Sequence, residues 1–207
     1  MNCVALILAA GKSTRLKAGG IQTPKSLLTL PDGETFLSRA VKNVKGIASP
    51  IAVLGHHADE VSDYCGKHRI PYRLNESYES GQTSSLKAGL GALPAKAEFF
   101  FIYPVDYPAV RRDTILSLME AQRDSGKSIV IPVRDSRGGH PVLVSASLAV
   151  EFLALADGEP AYTVIRRDPD RVLRFTVDDP GVLIDIDTAA DYESLMRAPS
   201  VPASARR

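Results

Sequence analysis

Two rhythms of apolar and polar residues alternate along the chain. Residues 3–9, CVALILA, form an unbroken apolar run, the pattern of a strand covered on both faces in a parallel sheet. Similar runs recur at 51–54, 99–105 and 128–133, and a shorter strand is predicted within IPYRLN, residues 70–75. Between them, apolar positions three and four apart predict helices over 36–44, 58–66, 84–93 and 113–123. Strands alternating with helices of this length indicate an α/β fold, with a doubly wound, mostly parallel, Rossmann-like sheet. Past residue 135 the rhythm loosens. HPVLVS (140–145) predicts a short strand, 146–156 a helix, 171–177 and 182–186 two strands, and 189–196 a last helix. One domain over 1–196 is expected, followed by a tail from 197 to 207 with the composition of a disordered end.

Composition narrows the functional classes. A chain of 207 residues buries one real core, and Lys plus Arg at 25 against Asp plus Glu at 24 gives no global field for nucleic acid or an anionic membrane. Any bound anion must be held by a local cluster. Cys3 lies in an apolar run, Cys65 stands alone, and there is no CxxC pair, which argues against a disulfide framework or a structural zinc site. The first apolar run is too short to span a bilayer and carries no basic leader, so a soluble cytoplasmic protein is expected, with no membrane or nucleic-acid partner.

The chemistry concentrates where open parallel sheets bind ligands, beyond the carboxyl ends of their strands. The first strand runs into AAGKSTR, which looks like the end of a phosphate loop. A Walker A loop needs Gly where this chain has Leu6, and the dinucleotide fingerprint needs Gly where it has Ser13 and Leu16. Neither standard loop fits. Ala9, Ala10 and Gly11 lack bulk, so a base or ribose can lie against their backbone, and the amides that follow can meet phosphate oxygens. Lys12, Arg15 and Lys25 match a triphosphate in charge.

Asp106 follows a mainly apolar run, at a strand lip where a carboxylate needs a cation, a metal or amide donors. The bland alternative is an Asp capping the next turn. In DIDTAADY, residues 185–192, alternation places Asp185 and Asp187 on one face of a short strand, while Thr188 or Asp187 can cap the next helix. One of these carboxylates can complete a magnesium site with Asp106, and on the residues alone capping is the simpler role. GQTSSLKAGL, residues 81–90, supplies a Gly and hydroxyls ahead of a helical pattern, and GGHP, 138–141, a flexible turn with one imidazole. His56 and His57 read as a solvated helix entrance, and His68 as a surface residue.

With these segments in view, the chain resembles the MobA-like nucleotidyltransferases of the molybdenum cofactor type, within the nucleotide-diphospho-sugar transferase superfamily. The likeness runs from residue 3 to about 196. LAAGKSTRL looks like the opening signature, whose loop (Ala9, Ala10, Gly11, Ser13) and cations hold a nucleoside triphosphate, with the later family Lys falling on Lys25. NESYESGQTSSLKAGL resembles the segment that reads base and ribose, which implies Asn75, Gly81, Ser84 and Ser85. VDYP falls where the family has its metal-binding Asp, here Asp106. SRGGHPVLVS and DIDTAADY resemble the Gly-His-Pro and closing Asp-Thr elements, implying Gly139 and His140 at the acceptor and Asp187 as second magnesium ligand.

The resemblance implies Mg2+-dependent transfer of a nucleoside monophosphate to a phosphate-bearing acceptor such as molybdopterin, by a monomer or weak homo-oligomer. Lys12 and Arg15 would hold the β and γ phosphates, and Lys25 the charge developing at the α phosphate. Two alanines before the Gly are similar to the cytidylyltransferases, which makes CTP the expected donor. The long gap from Arg15 to Lys25 looks more like sugar-phosphate and phosphocholine relatives, Val105 stands where Gly is common before the Asp, and DGEPAY replaces a Gly-Asp-x-Gly-Ala-Arg stretch. A sugar-1-phosphate or phosphocholine nucleotidyltransferase is the alternative enzyme, and a nucleotide-binding regulatory protein the alternative outside enzymes.

Overall fold

The computed structural model describes residues 2–197. The expected tail, apart from Arg197, lies outside them. The first half alternates as its pattern predicts: β1 (Cys3–Ala9), α1 (Thr14–Ala18), α2 (Phe36–Val44), β2 (Ser49–Leu54), α3 (Ala58–His68), β3 (Tyr72–Leu74), α4 (Gln82–Leu90), β4 (Phe99–Pro104) and α5 (Arg112–Ser125). The second half follows with β5 (Ile129–Arg134), β6 (Arg137–Gly138), β7 (Val142–Ser145), α6 (Ala149–Leu153), α7 (Tyr162–Arg166), β8 (Val172–Thr176) and α8 (Ala189–Arg197).

The eight strands form one mixed sheet in the order β3-β2-β1-β4-β7-β5-β6, with β8 joined to β5. Pairings among β3, β2, β1 and β4 are parallel, as is β5 with β8. Strand β7 wedges antiparallel between β4 and β5, and β6 pairs antiparallel with β5. Strand β1 is buried on both faces, and its alternation divides the core. Cys3, Ala5 and Ile7 pack with Phe36, Leu37, Val61 and Ile115 from α2, α3 and α5. Val4, Leu6 and Leu8 pack with Leu86, Phe152 and Val164 from α4, α6 and α7. Each fully buried Val, Leu, Ile or Phe among them contributes about 1.5–3 kcal/mol of transfer free energy, which locks the register.

The chain leaves β1 toward β2 and β3 on one side and returns at β4 on the other, so strand order reverses at β1. A crevice opens at the carboxyl ends of such neighbours.

The strand expected over 182–186 does not form. Pro180–Leu183 is a 3-10 turn leading into irregular backbone. The cause is local. Pro180 supplies no N–H for a ladder. A Cβ on Gly181 would stand 2.2 Å from the Ala109 carbonyl oxygen, so the backbones abut there. Buried Asp179 accepts hydrogen bonds from the Gly181 amide (2.9 Å), the Arg111 amide (2.9 Å) and the Thr114 hydroxyl (2.6 Å), pinning the turn to α5. The helix expected over 146–156 is also broken, into a 3-10 turn at Ala146–Leu148 and the short α6.

Candidate active site

Ala9, Ala10 and Gly11 leave β1 and line a cavity of about 500 Å3 in that crevice, a size usual for small-molecule sites. Space beside the Gly11 Cα is open, whereas a Cβ on Gly55, at the end of β2, would meet the Ala10 Cβ at 2.7 Å. The smallness of Ala10 and Gly55 therefore brings two strand ends together. Ser13 takes the left-handed conformation, φ 55°, to start α1, and its hydroxyl accepts a hydrogen bond from the Lys25 amide at 3.3 Å. That contact ties the cation-bearing turn Lys25–Leu27 to the loop after β1.

Lys25 is the centre of the cluster. Its side chain is 14% exposed, and Nζ donates to Asp187 Oδ1 at 2.5 Å and Asp106 Oδ2 at 3.4 Å. Arg15 reaches the other Asp187 oxygen at 3.0 Å from a largely solvent-exposed position. Asp106 stands two residues past the end of β4, and burial raises its carboxyl above the usual range against the opposing pull of Lys25. Asp106 Oδ1 is buried without a hydrogen-bond partner. A buried, orphaned carboxylate oxygen in one cluster with a second carboxylate has the chemistry to take a hard cation, with substrate oxygens as further ligands. Two carboxylates alone make no all-protein cage, and among the described residues no group of three or more metal-ligating side chains occurs.

Asp187 is positioned by irregular backbone rather than by a strand. The Ile186 amide donates to the Asp106 carbonyl at 2.9 Å, which places the two acidic residues together. Thr188 and Asp191 cap α8 reciprocally, the Thr188 amide donating to Asp191 Oδ2 at 2.8 Å and the Asp191 amide to Thr188 Oγ1 at 3.2 Å. Capping thus belongs to Thr188 and leaves the Asp187 side chain to the cluster. Asp185 also lines the cavity.

Lys12 lines the same cavity, and its Nζ sits 2.6 Å from Glu79 Oε1, a carboxylate that raises the ammonium pKa. Gly81 and Ser85 also line the cavity. Asn75 and Ser84 do not. The Asn75 amide nitrogen donates to Ser84 Oγ at 2.9 Å and Ser85 Oγ at 3.1 Å, its oxygen accepts from the Ser77 amide, and Ser84 Oγ donates to the Gly81 carbonyl. Both are spent on shaping the turn into α4.

Gly139 is set by packing, since a Cβ there would lie 2.1 Å from the Val182 carbonyl oxygen. His140 lines the cavity with its ring 4.8 Å from that of Tyr107. Burial drives its pKa down to about 4, so it is neutral at ordinary pH, and Nδ1 has no partner. His57, expected as solvated, instead turns its ring into the cavity wall with Nε2 buried and unpartnered, and burial lowers its pKa. Tyr78 and Gln82 line the cavity as well and were not singled out by the sequence. The one available signal was their place between β3 and the first turn of α4.

Residues 5–172 match the model of the MobA-like NTP transferase domain. The chain belongs to the MobA-like NTP transferase family. It is 24% identical over 200 residues to a probable molybdenum cofactor guanylyltransferase of Mycobacterium ulcerans, covering 95% of this chain and 94% of that protein. A 2-C-methyl-D-erythritol 4-phosphate cytidylyltransferase of Streptomyces avermitilis is 32% identical over 146 residues, 64% of this chain and 55% of that one. The bifunctional protein GlmU of Acinetobacter baumannii is 27% identical over 146 residues, which are 70% of this chain but only 31% of GlmU. The match thus spans about a third of that relative's length. Among solved structures, Rv0371c of Mycobacterium tuberculosis superposes with a TM-score of 0.81 at 25% identity, over 96% of this chain and 100% of that one. A structure of Rv0371C in complex with manganese shares the fold at 23% identity, with a TM-score of 0.78, over 96% of this chain and 100% of that one. The family is one of nucleotidyltransferases. No helix among the described residues is long and apolar enough to cross a membrane.

Proposed function

We propose that the protein transfers a nucleoside monophosphate, CMP before the others, from a nucleoside triphosphate to the phosphate of an acceptor such as molybdopterin, with release of pyrophosphate. The observation that carries this reading is the Lys25 ammonium held between Asp106 and Asp187 at the mouth of the β1 loop.

In this reading the base and ribose lie among Ala9, Ala10, Gly11, Gly81 and Ser85. Arg15 and Lys12 hold the β and γ phosphates, exchanging their carboxylate partners for phosphate oxygens. Lys25 meets the charge that develops at the α phosphate. Such transfer rests on positioning and charge neutralisation, because the attacking phosphate oxygen is already an anion and needs no strong base. A neutral His140 fits that demand, since it can orient the acceptor without titrating. Asp106 and Asp187 would hold magnesium. The ion, when bound, supplies a hard positive charge shared by phosphate oxygens. The manganese found with Rv0371C lends support for a divalent ion on this fold.

Relatives of both nucleotide types, a guanylyltransferase and a cytidylyltransferase, flank the chain in sequence. The preference for CTP rests on the two alanines before Gly11. Crossing the four ribonucleoside triphosphates with molybdopterin, phosphocholine and hexose 1-phosphates, with magnesium, and measuring pyrophosphate tests the reading. Release with CTP and molybdopterin is expected, and release only with a hexose 1-phosphate would replace the acceptor. A cytoplasmic monomer or weak homo-oligomer is part of the same proposal.

A further inference from the structure

Of the residues between Arg15 and Lys25, only Pro24 lines the cavity, so the rest of this long gap contributes no group to it. The stretch receives α8 instead. Its backbone closes α1 tightly, the Gly19 and Ile21 amides both donating to the Leu16 carbonyl at 3.0 Å and the Gly20 amide to that of Lys17 at 3.0 Å. Gly20 makes the turn at φ +89°, a conformation open to glycine. Gly19 then meets α8. A Cβ on Gly19 would stand 2.5 Å from the Ala189 Cβ, 3.4 Å from the Leu16 carbonyl oxygen and 3.7 Å from the Ala189 Cα. The two segments approach this closely because one position has no side chain and the other only a methyl.

Ala189 opens α8, two residues after Asp187. Three residues further, on the same helix face, Tyr192 donates its hydroxyl to the Thr29 carbonyl at 2.8 Å and sets its ring edge-on to Phe36 at 6.1 Å. Helix α8 is thus held at two points, by the end of α1 and by Thr29, two residues past the Lys25–Leu27 turn. These elements carry the partners of Asp187: Arg15 on α1 at 3.0 Å and Lys25 at 2.5 Å. The Asp187 and Thr188 amides both donate to Asp191 Oδ2, at 3.2 and 2.8 Å, which fastens the acidic residue to the first turn of α8. A shift of α8 therefore carries Asp187 with it. Gly19, Ala189 and Tyr192 themselves do not line the cavity.

From this we infer that the stretch after Arg15 is a seat for α8, and that Gly19, Ala189 and Tyr192 are positioning residues that set the Asp187 carboxylate in place for a divalent ion. The role rests on the nucleotidyl-transfer reading above, in which Asp106 and Asp187 hold that ion. It adds what fixes the one carboxylate relative to the other. A methyl added at Gly19 pushes α8 off α1 and displaces Asp187. Once Ala189 loses its own methyl, the added one meets nothing closer than the Leu16 carbonyl oxygen at 3.4 Å, an ordinary contact. A size swap across the contact should therefore restore the seat.

The test uses the whole chain and a binding readout. Calorimetry with the four ribonucleoside triphosphates selects the one that binds tightest, and its dissociation constant is then measured in EDTA and in saturating Mn2+. The ratio of the two constants is the gain due to the ion. It is compared in the native protein, in Gly19→Ala, in the double variant Gly19→Ala with Ala189→Gly, and in Tyr192→Phe, with thermal midpoints as the control for folding. Gly19→Ala should lose about tenfold of the native gain, the scale for disturbing the support behind a metal ligand, with the constant in EDTA unchanged. The double variant should recover the gain, and Tyr192→Phe, which keeps the ring, should lose part of it. A native gain in Gly19→Ala, a loss that the double variant does not recover, or no gain from Mn2+ in the native protein overturns this inference while triphosphate binding stands. Should Gly19→Ala fail to fold, Tyr192→Phe decides: a reduced gain supports the inference and an undiminished one overturns it. Absent triphosphate binding removes the nucleotidyl-transfer reading, and this inference with it.

Discussion

Lys25 Nζ and Asp187 Oδ1 stand 2.5 Å apart although 162 residues separate them in the chain. The contact joins the Lys25–Leu27 turn, between α1 and α2, to the turn before α8, close to the two ends of the domain. Lys25→Met removes the cation, leaving Asp106 without its ion-pair partner and Asp187 with Arg15 alone. Pyrophosphate release should fall by about 10²–10³-fold in kcat, the scale for losing one preorganised charge-stabilising group. Steady-state kinetics with saturating donor checks this, with circular dichroism as control for folding.

Lys12 is engaged by Glu79 at 2.6 Å, and in the proposed reading the donor's phosphates compete with that carboxylate for it. Glu79→Gln frees the ammonium and should lower the donor KM by at most severalfold, leaving kcat in place. Arg15→Gln should raise the donor KM. Titration of each variant with the triphosphate checks both, and a raised KM in Glu79→Gln would show that Lys12 does not reach the phosphates.

Burial keeps His140 neutral down to about 4, whereas an exposed imidazole in the unfolded chain takes up its proton near 6.5. Between those values the unfolded chain binds a proton that the folded chain does not. The stability due to a neutral His140 is therefore complete above about 6.5 and is lost as pH falls toward 4. Urea unfolding from pH 7 to 4 should show a shallower loss of stability in His140→Gln than in the native protein. His140 should likewise contribute no limb near pH 6.5 to the activity profile.

Asp179 is 2% exposed and accepts from two amides and one hydroxyl at the Pro180–Leu183 turn. Asp179→Ala strands those donors and should cost about 2–4 kcal/mol in urea unfolding. Because the same turn leads to Asp187, activity of the folded fraction should fall too.

Much of this was legible in the chain. Strand β1 and helix α2 occupy the residues that their patterns predict, because a strand buried on both faces and a one-sided helix each leave a period that burial enforces. The direction of β7 was not legible, since an apolar run is the same read either way and its antiparallel place between β4 and β5 is set by tertiary pairing. The segment 182–186 alternates like a strand, but Gly181 against Ala109 and the buried Asp179 hold it as a turn. At the site, the sequence marked Lys25, Asp106 and Asp187, and the fold brings all three together. It did not separate Ser85, which lines the cavity, from Asn75 and Ser84, which bond to one another. Inward and outward polar groups share one composition. His57 was hidden for the same reason, its ring being turned in by the entry into α3.

The central claim is that Asp106, with its unpartnered buried oxygen, holds the reacting centre together with Asp187. Magnesium-dependent pyrophosphate release by Asp106→Ala, measured beside the native protein with the preferred triphosphate and acceptor, tests it most directly. The account predicts release at least about 10²-fold lower with an unchanged circular dichroism spectrum. Near-native release by a folded Asp106→Ala would contradict it.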